Sequence, residues 1–254
     1  MSDLSLTTST AVTLSGRTFR LTRRNIDALM MALLLPIMLM LLFVYLFGGA
    51  IATGTTYVTY VVPGVLLLCV SFGASLTAVA VSHDMTGGII DRFRSMDVGG
   101  VPFLAGHVVA SVARNAASTV VVLAVAVLIG FRPSAGPPAW LEAAAILLAF
   151  VVALSWLSAA VGLAARSPEA ADGFTFGLMF LPYPSSAFVP IDTMPTWLRG
   201  FAEHQPTTPV IESLRGLLLD QPVGQAPVQA LAWSAGILLV AVAASGFLFH
   251  RRTT

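Results

Sequence analysis

Residues 57–82 read YVTYVVPGVLLLCVSFGASLTAVAVS, a run without one charged side chain. A helix of about 20 apolar residues crosses a hydrocarbon core roughly 30 Å thick, so this stretch predicts a membrane-spanning helix. Upstream, residues 28–50, ALMMALLLPIMLMLLFVYLFGGA, predict another. Downstream, similar runs cover about 105–130, 139–164, 170–189 and 227–249, with Glu142 and Asp172 only near the starts of two of them. The fold class that follows is an all-α membrane protein with six transmembrane helices. "AIA" at 50–52 resembles a signal-peptide cleavage site, but the run before it exceeds the 7–15 residues of a signal h-region. It reads as a retained helix.

Composition agrees. The 254 residues are 57% hydrophobic and 10% charged, whereas soluble domains carry about 25% charged residues. The net charge of +1 says nothing about nucleic acid, because the arginines are dispersed among apolar runs, and no nucleic-acid partner is expected. Cys69 stands alone inside an apolar run and reads as a small packing residue. All 13 basic residues are arginine. A Walker A loop needs a lysine on the nucleotide phosphates, and Schiff-base catalysis needs one as nucleophile. Any ATP hydrolysis must therefore come from another polypeptide.

Arginine placement sets an expected orientation. With an inward N-terminus, Arg17, Arg20, Arg23, Arg24, Arg92, Arg94, Arg166, Arg251 and Arg252 fall on one side, and Arg132, Arg199 and Arg215 on the other. Both termini and the loop 83–100 are then cytoplasmic. Arg114 lies inside the third run. It reads either as a functional intramembrane charge or as a side chain that snorkels or pairs with a neighbouring helix. Prolines at 36, 63, 182 and 184 punctuate the runs and suggest kinks or simple packing features.

Four segments outside the spans carry readings of their own. Residues 1–27 form a cytoplasmic N-terminal segment, in which Val12, Phe19 and Ile26 recur every seven residues with Arg17, Arg20 and Arg24 opposite. This predicts an amphipathic interface helix in the headgroup plane. Leu14 and Leu21 fall toward the arginine side, so a plain positive-inside anchor is the alternative. The loop 83–100 spaces Ile89, Phe93 and Met96 as one helical stripe, with Asp91 and Arg94 on its polar side. It predicts a short amphipathic helix across the cytoplasmic ends of the spans, showing charge to a partner, or, on the blander reading, a solvated connector. Residues 185–220 predict two short helices, one with Trp197, Leu198 and Phe201 capped by Thr193, the other starting at Thr208–Pro209 with Glu212 near Arg215. Neither is long enough to span, and both read as dipping into the outer leaflet. Residues 251–254 are a cytoplasmic tail, closing a six-helix domain over 28–250.

At two of these places the chain resembles ABC-2 type permeases of the daunorubicin-resistance-like branch. "GIIDRFRSM" (88–96) resembles that branch's cytoplasmic coupling segment, and "FVPIDTMPTWLRGFAEHQPTTPVIESLRGLL" (188–218) its extracellular segment before the last helix. The resemblance covers essentially the whole chain. It implies the membrane half of a bacterial plasma-membrane exporter for hydrophobic drugs, antibiotics or lipid-like molecules. Two permeases, as homodimer or heterodimer, would pair over two ABC ATPase subunits, which would bind the ATP and Mg. The implied ATPase-coupling residues are Asp84, Gly88, Asp91, Arg92, Phe93 and Arg94. The implied extracellular re-entrant segment carries Pro195, Trp197, Glu203, Pro206 and Arg215. Substrate would pass along the second and fifth helices, where Ser71, Phe72 and Ser75 share a stripe, as do Phe176, Met179 and Phe180; ordinary helix packing uses the same residue types. Asp97 and Gly100 depart from the branch, which commonly has proline and arginine there.

Two rivals are weaker. An ion-coupled secondary transporter needs ionisable groups near the membrane midplane, and the runs offer only Arg114. An intramembrane enzyme needs a catalytic constellation. His83, His107, His204 and His250 are scattered without metal-ligand spacing and read as boundary residues, and no serine lies in a G-x-S-x-G setting. The sequence points to no catalytic residue, metal site or cofactor within this chain.

Overall fold

A computed structural model of the chain describes residues 26–51, 53–87 and 100–253. Eight α-helices occupy the described residues, with no strand among them: α1 (Ile26–Leu42), α2 (Tyr57–Thr86), α3 (Gly100–Leu128), α4 (Pro137–Ala164), α5 (Pro168–Phe180), α6 (Thr196–His204), α7 (Thr207–Leu218) and α8 (Ala226–Thr253). The N-terminal segment with Arg17, Arg20 and Arg24 lies outside the described residues. So does the stretch 88–99, which holds Gly88, Asp91, Arg92, Phe93 and Arg94.

Among the described residues, four helices are long and apolar enough to cross a membrane: α2, α4, and the parts of α3 and α8 over Phe103–Leu128 and Ala226–Phe249. These match four of the six expected spans. The first expected span is the 17-residue α1, which holds Pro36 and runs on into a π-helical turn, Phe43–Phe47. The fifth differs from expectation. Helix α5 has 13 residues, about 20 Å of rise, and turns replace it over 181–188. Pro182 and Pro184 cannot donate to the carbonyls of Leu178 and Phe180. Those carbonyls instead accept i→i+3 bonds from the N–H groups of Leu181 (3.2 Å) and Tyr183 (3.1 Å).

Local chemistry starts the helices where it should. Gly136 in extended conformation precedes α4, and Pro137 supplies the fixed φ of a first helical turn. Ser167 caps α5 by accepting from the Ala170 N–H at 3.3 Å, ahead of Pro168.

Helix α2 is the axis of the bundle. It packs against α1, α3, α4, α5 and α7, while α8 lies along α4 and α7. Protein therefore surrounds α2, which is why its sequence is apolar on every side. Close approach needs small residues, because lipid provides no hydrophobic drive between helices. At Gly162 of α4, a Cβ would stand 2.3 Å from the Ala78 carbonyl oxygen of α2. Large apolar side chains of α1, α3 and α8, such as Leu34, Val120, Leu239 and Phe247, face outward. That is the surface expected toward lipid or another membrane subunit.

Candidate functional site

The start of α2 carries a knot that ties three elements together. Arg215 of α7 is buried. Its Nη2 donates to the carbonyls of Ser186 (2.6 Å) and Tyr60 (3.1 Å), and its Nε also reaches the Tyr60 carbonyl, at 3.3 Å. Its Nη1 pairs with Glu212 Oε1 at 2.8 Å, and the guanidinium lies 3.8 Å from the centroid of the Tyr60 ring. Pro63 withholds an N–H from the Thr59 carbonyl, so the ladder of α2 is already interrupted beside Tyr60. At Gly64 a Cβ would meet Ala187 at 2.6 Å, so only glycine lets the two backbones approach this closely.

The irregular segment after α5 presents a backbone problem, since carbonyls at membrane depth must find partners in protein. Side chains supply them at alternate residues. The Pro182 carbonyl accepts from Ser185 Oγ and the Pro184 carbonyl from Gln205 Nε2. The Ser186 carbonyl takes Arg215, and the Phe188 carbonyl takes Tyr57 Oη at 2.9 Å. Gln205 sits between α6 and α7, held by Thr207 Oγ1 on its Oε1 at 2.9 Å. The polar residues of 185–220 thus satisfy a turn that two prolines open.

Helix α7 forms where the second short helix is expected, and protein surrounds it. It is buried along nearly its whole length against α2, α4 and α8. Thr193 does not cap α6. It ends a 3₁₀ turn, Ile191–Thr193, and donates to the Pro190 carbonyl, while Pro195 precedes α6. Trp197, 79% exposed, and Glu203, also exposed, lie on the outer surface of α6; Pro206 introduces α7.

The opposite end of α2 holds the one expected coupling residue that is described. Asp84 Oδ2 lies 3.2 Å from His107 Nε2 of α3, and the ring of Phe103 meets His107 edge-on at 4.9 Å. Asp84 therefore ties α2 to α3 on either side of the stretch 88–99. His107 is buried there.

Midway, Arg114 Nη2 donates to the Gly73 carbonyl (2.7 Å) and Thr77 Oγ1 (3.0 Å) of α2. Ser111 receives Asn115 Nδ2 on its carbonyl (3.0 Å) and Ser155 of α4 on its Oγ (2.9 Å). Of the two readings of Arg114, pairing with a neighbouring helix describes this geometry.

The expected pathway residues divide. Ser71 and Ser75 are buried within the chain, and Ser75 Oγ donates to the Phe72 carbonyl at 2.8 Å, while Phe72 is half-buried. Phe176 and Phe180 of α5 are exposed and Met179 half-buried. Phe176 and Phe180 begin an aromatic ladder that passes through Tyr183 and Phe188 to Phe43 of α1, with ring centroids 4.4–5.6 Å apart. The ladder joins residues too far apart in the chain for helical spacing to connect.

Comparison with known proteins follows this geometry. The sequence profile described as ABC-2 type transporter matches residues 10–219. A daunorubicin resistance ABC transporter permease protein of Streptomyces coeruleorubidus is 30% identical over 187 residues, 73% of this chain. The chain spans just under two thirds, 66%, of that relative's length. A probable doxorubicin resistance ABC transporter permease protein of Mycobacterium tuberculosis is 24% identical over 225 residues, 88% of this chain and 82% of the relative.

Proposed function

We propose, from the premise that this chain belongs to the ABC-2 type transporter family, that it is the membrane permease subunit of a bacterial ABC exporter. The observation that carries the reading is the family match over residues 10–219. The absence of lysine supports it, because such a subunit borrows its ATPase. Two permeases, alike or different, stand over two ABC ATPase subunits, which bind ATP and Mg. Each permease contributes six spans: α1 with its π turn, α2, α3, α4, α5 with the following turns, and α8. Both termini and the loop 83–100 face the cytoplasm, where the positive-inside bias puts them. The ends of α6 and α7 face outside.

The ATPase grips the segment around Asp91, Arg92, Phe93 and Arg94. The Asp84–His107 pair on its flank passes the movement into α2 and α3 together. Cargo is hydrophobic: drugs, antibiotics or lipid-like molecules. It moves along the aromatic surface of Phe176 and Phe180, with Phe72 and Met179 beside it, where flat or cationic apolar molecules find π faces and a polarisable sulfur.

Affinity purification of the chain from its own membranes is expected to recover an ABC ATPase. Replacing Asp91, Arg92 and Arg94 together with alanine is expected to reduce that recovery at least about tenfold, since charge-assisted contacts contribute about 1.5–3 kcal/mol each. Recovery of no ATPase, or undiminished recovery by the triple variant, would count against the coupling role.

A further inference from the structure

Helix α2 is held to its neighbours near both ends, by Arg215 at the Tyr60 carbonyl and by the Asp84–His107 pair. From Tyr60 to Asp84 it rises about 36 Å. Long helices bend, so a displacement applied at one end is partly lost unless the middle is held. Arg114 of α3 holds it. Its Nη2 donates to the Gly73 carbonyl at 2.7 Å and to Thr77 Oγ1 at 3.0 Å. The seat is close-fitting, because a Cβ at Gly73 would stand 2.2 Å from Asn115 Oδ1 of α3. The preceding residue is Phe72, whose own carbonyl accepts from Ser75 Oγ at 2.8 Å.

Packing alone does not call for a charge at this place. One turn away, Ser155 of α4 bonds Ser111 of α3 with neutral hydroxyls. A neutral amide could likewise donate to the Gly73 carbonyl and the Thr77 hydroxyl. A guanidinium inside a spanning helix is unfavourable. This one makes no ion pair among the described residues, and its Nε is buried without a partner. What the charge adds is strength, since a charge-assisted hydrogen bond is roughly twice as strong as a neutral one. Its acceptor is a backbone carbonyl, which moves only when the helix moves.

We propose that Arg114 is a positioning residue for transport, which ties α3 to the middle of α2 and so carries the ATPase-driven movement to the cargo surface at Phe72. The inference rests on the exporter reading and on Phe72 lying beside the cargo route. With the tie cut, the ATPase still turns over while the middle of α2 lags, so ATP is hydrolysed without matching export. Only Nη2 is engaged, so an ammonium, with three donors, can serve both acceptors. Arg215 uses three nitrogens and has no such substitute.

The test places the chain with its ABC ATPase in inside-out proteoliposomes. Uptake of rhodamine 6G, a fluorescent apolar cation, and release of phosphate are measured in the same vesicles. The readout is their ratio, which a mere loss of folded complex does not change. Arg114→Met keeps the length and removes the donors; it is expected to lower the ratio at least about tenfold, the weight of one charge-assisted hydrogen bond. Arg114→Lys is expected to retain most of the parent ratio. Thr77→Val keeps the shape and removes one acceptor, and it is expected to lower the ratio less than Arg114→Met does. It reads the tie even if the methionine variant fails to assemble. Uptake and hydrolysis falling in proportion, an unchanged ratio in Arg114→Met, or a lysine variant no better than methionine would overturn the proposal. A parent complex without ATP-dependent uptake would refute the exporter reading itself; ATP-driven uptake with the same ratio in parent and variants would refute this role alone.

Discussion

Arg215 joins α7, α2 and the turn after α5 through one guanidinium. Its fork is what a lysine lacks, because an ammonium cannot serve two carbonyls, a carboxylate and a ring face from a planar group. Arg215→Lys is therefore expected to destabilise the folded chain by about 1–2 kcal/mol, taking interhelical hydrogen bonds at about 0.6 kcal/mol each. Arg215→Ala, which leaves the Ser186 and Tyr60 carbonyls without this donor, is expected to cost more, about 1–3 kcal/mol for each buried acceptor left unpaired. Thermal unfolding in detergent, followed by tryptophan fluorescence, checks both; a lysine variant as stable as the parent would contradict the role given to the fork. A second residue-scale prediction concerns Asp84 and His107. Asp84→Asn and His107→Ala are expected to be non-additive, with a coupling energy of about 1 kcal/mol, since contacting residues couple by about 0.5–3 kcal/mol. Additive effects would mean that Asp84 does not act through His107. The Glu212–Arg215 pair was legible in the sequence, because i, i+3 spacing is a local signal. The Ser186 and Tyr60 carbonyls were not, lying 29 and 155 residues away from Arg215 in the chain.

Among the elements, four apolar runs became helices of spanning length because length and hydropathy suffice to specify them. The fifth run did not. Its composition carries through to residue 189, but composition does not register that two prolines exhaust the donors needed beyond Phe180. The protein partners of helix α7 were hidden for a related reason. An amphipathic pattern says that one face is polar without saying whether that face meets water or another part of the protein. Here it meets the carbonyls of α2 and of the proline-rich turn. The α2–α4 contact allows a direct test of packing at this scale. Gly162→Val would press a side chain into the backbone of α2, which cannot give way, and overpacking of this kind costs about 1–3 kcal/mol. Gly236→Val in α8, where a Cβ would meet nothing within 4 Å, serves as control. Fluorescence-detected size exclusion is expected to show loss of the folded species for Gly162→Val only; equal behaviour of the two would contradict the close α2–α4 approach.

For the whole molecule, α2 connects two regions with different tasks. Its start is bolted to α7 and the turn after α5, and its end is tied to α3. A helix fixed at both ends transmits a push along its length, which is what the proposed exporter asks of α2 if an ATPase docks at one end. The family assignment was legible because two long segments carried it, whereas the aromatic ladder and the knot at Arg215 arise only when distant segments meet. The exporter reading stands or falls on its energy source. The decisive measurement is uptake of a fluorescent hydrophobic amine into inside-out proteoliposomes that contain the chain with its ABC ATPase partner. Uptake is expected only when both subunits and hydrolysable ATP are present, and it is expected to persist when ionophores dissipate the proton and sodium gradients. Uptake by the chain alone, driven by an ion gradient without ATP, would contradict the assignment and favour an ion-coupled transporter.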